Sequence, residues 1–190
     1  MGITSPGPSN WNVPNALSAI RLALAIAVCV LIEWRMLFPA VVCFLIAAST
    51  DWVDGWWARR FQQVTKLGRI LDPFVDKIII CGAMIALCAL PGSAIAPWMA
   101  TLVMGRELLV TSLRAMVEGK GGDFSAKQLG KWKMVAQCGA IVSVLIELQF
   151  ASPPSWLHWT SIVWVWSALI LTIASGFEYV LLVVPKVSPS

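Results

Sequence analysis

Charge is scarce in this chain of 190 residues. Asp, Glu, Lys and Arg make up 13% of it, against roughly a quarter in a soluble domain. Hydrophobic residues make up 58%, and the mean hydropathy is +0.78. So little charge excludes an ordinary cytosolic globule, and so much apolar side chain excludes a disordered chain. The five cysteines (Cys29, Cys43, Cys81, Cys88 and Cys138) all sit in apolar runs without a C-x-x-C pair. That rules out a secreted disulfide scaffold and reads as small hydrophobes in helix packing. Histidine is nearly missing: His158 is the only one, and no catalytic role is expected of it. The first thirteen residues contain no Lys or Arg, and the apolar run after them lacks a small-residue cleavage site. The first segment therefore reads as a retained span, not a signal peptide. There is no internal repeat or low-complexity tract. What remains is a membrane-embedded protein. At about 20 apolar residues per span, the chain holds six or seven at most, with no room for a separate soluble domain.

Proline, glycine and charge divide the apolar sequence into six expected transmembrane helices, at about residues 15–32, 36–60, 69–90, 94–118, 126–149 and 156–183. The fold class is thus an all-α integral membrane protein with one catalytic domain over residues 1–190. Ser125 and Gln128 have capping-box spacing at the start of the fifth span. Arg59, Arg60, Lys66, Arg69 and Lys77 gather around the connection of spans two and three. Lys120, Lys127, Lys131 and Lys133 gather around that of spans four and five, and Lys186 lies in the tail, whereas the opposite side has only Arg35. By the positive-inside bias both termini face the cytoplasm. Trp11, Trp34, Trp98, Trp132 and Trp156 near span ends fit an interfacial belt.

Four of the ten acidic residues fall between Asp51 and Asp76. Asp51 and Asp54 are three apart at the cytoplasmic end of span two; Asp72 and Asp76 are four apart at the start of span three. Each spacing puts two carboxylates on one helix face, and a tight hairpin brings the two pairs to one depth. Clustered carboxylates repel unless something positive compensates. Oxygen ligands with no His or Cys nearby favour a hard divalent cation such as Mg²⁺, Mn²⁺ or Ca²⁺ over Zn²⁺, and four can hold two ions. The competing explanation is structural: the aspartates cap helices and pair with Arg59, Arg60, Arg69 and Lys77, and Asp72-Pro73 has the form of an N-cap before an N1 proline. Gly55, Ala58 and Gly68 give a bulky ligand close access to the backbone, although small residues in membrane helices also mark helix contacts.

The run Asp51-Trp-Val-Asp54-Gly55-Trp-Trp-Ala58-Arg59, eight further residues, Gly68, Asp72 and Asp76 resembles D-x-x-D-G-x-x-A-R-x8-G-x-x-x-D-x-x-x-D. That is the signature of the CDP-alcohol phosphotransferase family, with all eight fixed positions present over 26 residues. The resemblance implies transfer of a phosphoryl-linked group from a CDP-linked donor to an alcohol with release of CMP. It also implies two divalent metals (Mg²⁺ or Mn²⁺) per active site and a homodimer. Carried over position by position, Asp51, Asp54, Asp72 and Asp76 resemble the metal ligands, and Asp76 the general base. Asp54, Gly55, Ala58, Arg59, Gly68 and Asp72 resemble the CDP cradle. A carboxylate base suits a weakly nucleophilic hydroxyl, and metals on the pyrophosphate neutralise charge on the departing CMP. A diacyl donor reaches a site at the membrane interface sideways from the lipid.

The acceptor must be read from other residues. Arg106 and Glu107 lie near the middle of span four, with Arg114 two turns on; ionised groups at that depth usually face a polar cavity. An Arg106–Glu107 pair is not expected, because adjacent residues point about 100° apart. Arg106, Arg114, Lys131 and Lys133 together form a cationic pocket suited to phosphate, although Lys131 and Lys133 are equally explained as loop charges. The segments Asn12–Arg21, Gly105–Arg114 and Leu129–Gln137 resemble the bacterial phosphatidylglycerophosphate-forming branch of the family. That implies CDP-diacylglycerol as donor, glycerol 3-phosphate as acceptor, membrane lipids as surroundings and no nucleic-acid partner. The implied location is the bacterial inner membrane, with the active site facing the cytoplasm. Two alternatives stay open at this stage. One is a sister enzyme acting on phosphatidylglycerol (a cardiolipin synthase), inositol phosphate or serine. The other is a divalent-cation transporter, which would place acids along a path through the membrane; spans five and six offer only Glu147 and Glu178, at or near their ends.

Overall fold

The structure, a computed structural model, describes the backbone of residues 13–61, 66–118 and 128–187. Within these it describes the side chains of residues 16, 18–50, 74–116 and 129–183. Every element among the described residues is an α-helix: α1 (Val13–Glu33), α2 (Leu37–Phe61), α3 (Lys66–Cys88), α4 (Pro97–Glu118), α5 (Gln128–Glu147) and α6 (Ser155–Val187). The expected start of the fifth helix at Ser125 lies outside the described residues. The chain divides into two compact units, Met1–Ala83 and Met84–Ser190. The first holds α1, α2 and most of α3; the second holds α4, α5 and α6.

In the first unit α1 packs along α2. The buried face of α1 runs Ser18, Arg21, Ala25, Val28, Ile32, a three-four-three-four spacing that keeps one stripe inward. The stripe is apolar except at its N-terminal end. Helix α1 stops where Arg35 takes a positive φ of 57°. Its N–H donates to Ile32 O at 3.0 Å and that of Met36 to Leu31 O at 2.8 Å, closing the last carbonyls in a Schellman motif. Gly82 on α3 sits so close to α1 that an added Cβ would come 2.9 Å from Cys29 Sγ.

In the second unit α6 packs against both α5 and α4. Pro97 opens α4 at a position where its missing N–H costs no helical bond, and Gly92, at φ +84°, makes the preceding turn. Buried stripes again turn from apolar to polar at one end. On α5, Val144 and Ala140 give way to Gln137 and Lys133; on α6, Ala168 gives way to Thr172, Ser175 and Tyr179. Thr101 Oγ1 bonds back to Pro97 O at 2.9 Å and Thr160 Oγ1 to Trp156 O at 2.7 Å, so both are satisfied within their own helices. Gly139 packs under Trp164, where an added Cβ would lie 2.5 Å from the indole ring. Gly139→Val is therefore expected to cost about 1–3 kcal/mol by overpacking. A lowered thermal midpoint of the detergent-solubilised protein would register it, and an unchanged midpoint would contradict this contact.

Among the described residues, Leu129–Glu147 and Ser155–Val183 are long and apolar enough to cross a membrane, with mean hydropathies of 1.3 and 1.7; Leu37–Thr50 is a shorter apolar stretch. Opposite its buried face, α6 exposes Val163, Trp166, Ile170, Ile173, Phe177 and Leu181, a continuous apolar stripe.

Candidate active site

The chemistry-bearing residues of the first unit lie late in α2 and early in α3. The α2 backbone places Asp51 and Asp54 one turn apart, and the α3 backbone does the same for Asp72 and Asp76. The side chains of Asp51, Asp54, Gly55, Ala58, Arg59, Gly68 and Asp72 lie outside the described residues. Among the described residues no group of three or more His, Cys, Asp or Glu side chains could hold a metal. The backbone does correct one expectation. Asp72 and Pro73 do not open α3; they are its seventh and eighth residues, so Asp72 is no N-cap. Pro73 forgoes one intrahelical hydrogen bond, which a helix can absorb near its end. The donor set itself, oxygen only and with no imidazole, fits a hard divalent ion.

Asp76 is described fully. Its Oδ1 accepts a hydrogen bond from Arg21 Nη1 of α1 at 3.0 Å. The Arg21 side chain is 1% exposed and that of Asp76 28%, so a buried cation holds a carboxylate that remains within reach of solvent. Arg21 was not among the site residues expected from the sequence. It is the only charged residue between positions 13 and 32, and an ionisable residue inside an apolar helix is by default a functional one.

In the second unit, polar side chains of α4, α5 and α6 pair in three sets of hydrogen bonds. Glu107 Oε1 accepts from Lys133 Nζ at 2.5 Å and from Arg106 Nη1 at 3.0 Å. Arg106 Nη2 donates to Ser175 Oγ at 2.8 Å, and Gln137 Nε2 to Thr172 Oγ1 at 3.1 Å. Arg114 Nη2 donates to Tyr179 Oη at 2.6 Å, its guanidinium carbon standing 5.7 Å from the ring centroid. The adjacent Arg106–Glu107 pair, not expected from helix geometry, is therefore present. The stem of Arg106 lies against Gly176, where a Cβ would come within 3.0 Å of Arg106 Cγ. That gap lets the guanidinium lie between α4 and α6 and reach both Glu107 and Ser175. Lys133 is buried and belongs to the cluster, whereas Lys131 is exposed. The Nε atoms of Arg106 and Arg114 are buried without a partner, which leaves donors for an anion. Thr172, Ser175 and Tyr179 were not expected from the sequence, and Glu107 was noted there without a place in the site. Thr172, Ser175 and Tyr179 carry a legible signal, a polar stripe at three-four spacing that includes the chain's single Tyr.

At the other end of α5, buried Glu147 takes His158 Nδ1 at 2.6 Å. His158 is 52% exposed at the side chain and meets α5 at the opposite end from Lys133.

The sequence profile of the CDP-alcohol phosphatidyltransferases matches residues 11–174, across both units. The chain belongs to the CDP-alcohol phosphatidyltransferase family. Several relatives share one name, CDP-diacylglycerol--glycerol-3-phosphate 3-phosphatidyltransferase. That of Bacillus subtilis is 32% identical over 188 residues, covering 89% of this chain and 93% of its own. The Yersinia pestis relative is 32% identical over 174 residues, covering 88% and 92%. The Cereibacter sphaeroides relative is 36% identical over 146 residues, covering 72% and 64%. For a CDP-alcohol phosphatidyltransferase, the two polar ends take on distinct meanings. The aspartates of α2 and α3 fall in the family signature, and the cations of α4 and α5 fall outside it.

Proposed function

We propose that the protein transfers the phosphatidyl group of CDP-diacylglycerol to sn-glycerol 3-phosphate, giving phosphatidylglycerophosphate and CMP. What carries this assignment is that relatives aligned over nearly their whole length share a name stating that reaction. The buried cation cluster supports the acceptor. Arg106 and Lys133 against one Glu107 leave one net positive charge, and half-buried Arg114, two turns along α4 on Tyr179, adds a second; such charge complements a phosphate monoester near its dianionic form. A neutral polyol or serine would not need that charge. Arg106, Arg114 and Lys133 hold the acceptor phosphate, with exposed Lys131 at most a peripheral attraction.

In the reaction, Asp76 takes the proton of the glycerol C1 hydroxyl. That oxygen bonds to the β-phosphorus as the anhydride P–O bond to CMP breaks, and the electron pair leaves with CMP. Asp51, Asp54, Asp72 and Asp76 are the residues that would hold two Mg²⁺ or Mn²⁺ ions, whose chemistry is to offset charge on the pyrophosphate. Asp54, Gly55, Ala58, Arg59, Gly68 and Asp72 would cradle the cytidine diphosphate.

The six helices act as six membrane spans of a bacterial inner-membrane homodimer, with the active site facing the cytoplasm. Two apolar helices and the exposed stripe of α6 support lipid contact, and the bias of Lys and Arg supports the orientation. The test is purified protein in nanodiscs with CDP-diacylglycerol and, in separate arms, glycerol 3-phosphate, inositol phosphate, serine or phosphatidylglycerol. CMP release at least about 10²-fold faster with glycerol 3-phosphate is expected. Faster release with another acceptor would replace the assignment.

A further inference from the structure

We propose that Arg21 of α1 is a positioning residue for Asp76, holding its carboxylate in place for the acceptor hydroxyl. The inference rests on the proposed reaction with Asp76 as its base, and adds to it a residue of a third helix.

The case starts from where Arg21 stands. The inward stripe of α1 continues as Ala25, Val28 and Ile32, so position 21 is one a helix of this kind would fill with a hydrophobe. A guanidinium there must be stripped of water, which costs several kcal/mol unless a partner of opposite charge meets it in good geometry. The partner is Asp76, at 3.0 Å, and Arg21 is among the largest wholly buried side chains of the protein. A hydrophobe would hold α1 as well or better, so stability alone does not explain an arginine at this position. Asp76 differs from its partner in exposure. It is held from the buried side by Arg21, and 28% of its side chain is exposed. Such a carboxylate has lost its rotamer freedom before substrate arrives. Held so, the carboxylate is in place to take the hydroxyl proton while the new O–P bond forms and CMP departs. A base held in near-attack geometry is worth rate, because a displacement of about 1 Å can cost on the order of 10² in turnover. It is not worth acceptor affinity, which belongs to the cations of α4 and α5.

The experiment compares wild-type, R21K and R21Q protein in nanodiscs, with kcat and KM for glycerol 3-phosphate normalised to the monodisperse folded fraction. Wild-type turnover is read first: if none is found, the proposed reaction fails, not the role of Arg21. Given wild-type turnover, R21Q is expected to lose about 10²-fold in kcat with KM changed by less than about threefold. R21K, which keeps the charge and one donor, is expected to recover about tenfold over R21Q. Any of four results would overturn the inference: R21Q at the wild-type kcat, a loss falling on KM instead, R21K no better than R21Q, or loss of folded protein while each folded molecule keeps its turnover.

Discussion

Asp76→Asn leaves the protein folded and removes turnover. The substitution keeps an oxygen for Arg21 Nη1, which now donates to Asp76 Oδ1 at 3.0 Å, so the buried guanidinium retains a hydrogen bond. An amide cannot accept the hydroxyl proton, and general-base catalysis alone is worth about 10²–10⁴ in rate. A further loss follows if Asp76 also loses its place among the metal ligands. Asp76→Ala is a different experiment. It strands Arg21 without this partner in a site 1% exposed, and removing one member of a buried pair typically costs about 3–5 kcal/mol. Asparagine is therefore the informative change and alanine the control for stability. CMP release by the monodisperse Asn variant is the measurement, and turnover at the wild-type rate would remove Asp76 as the base.

Arg106→Ala is expected to act on the other half of the reaction. Arg106 is anchored to Glu107 and Ser175, and its Nε is buried without a partner. A charge-assisted hydrogen bond contributes about 1.5–3 kcal/mol, so losing the contact to the acceptor phosphate should raise KM for glycerol 3-phosphate by about 10–10²-fold. KM for CDP-diacylglycerol should stay within about threefold. Arg106→Lys should recover little, because a point charge cannot reach Glu107, Ser175 and a phosphate from one planar fork. Lys131→Ala is the contrast: the residue is exposed, where screened charge is worth about 0–1 kcal/mol. If the two alanine variants raise KM equally, the acceptor phosphate does not sit on the buried cluster.

The six helices were legible because the apolar runs end at Pro, Gly or charge; among the described residues, only Leu129–Glu147 and Ser155–Val183 are long and apolar enough to cross a membrane. The turns at Arg35 and Gly92 fall where those signals stand, whereas α4 begins at Pro97, three residues after the expected start at 94. Asp72-Pro73 misled because the pair is chemically suited to a helix start, yet α3 begins at Lys66 and simply absorbs the proline. Lys133 could not be separated from loop charge by sequence, since its burial depends on Glu107, twenty-six residues away. The Arg106–Glu107 pair was discounted because the 100° rule describes where side chains start. It does not describe where a long arginine ends once Gly176 clears room beside its stem. Arg21 had the plainest signal of all, a lone charge in an apolar helix, and its partner became evident only with α1 and α3 in place.

The most direct test of the whole account follows the atoms. Purified protein is given CDP-diacylglycerol and glycerol 3-phosphate carrying ¹⁸O in the C1 hydroxyl, and the lipid and nucleotide products are weighed by mass spectrometry. Attack by that hydroxyl on the β-phosphorus predicts the heavy oxygen in phosphatidylglycerophosphate, unlabelled CMP, and one CMP per lipid formed. Heavy oxygen in CMP, a lipid product without it, or CMP released equally well when glycerol 3-phosphate is omitted would contradict the account.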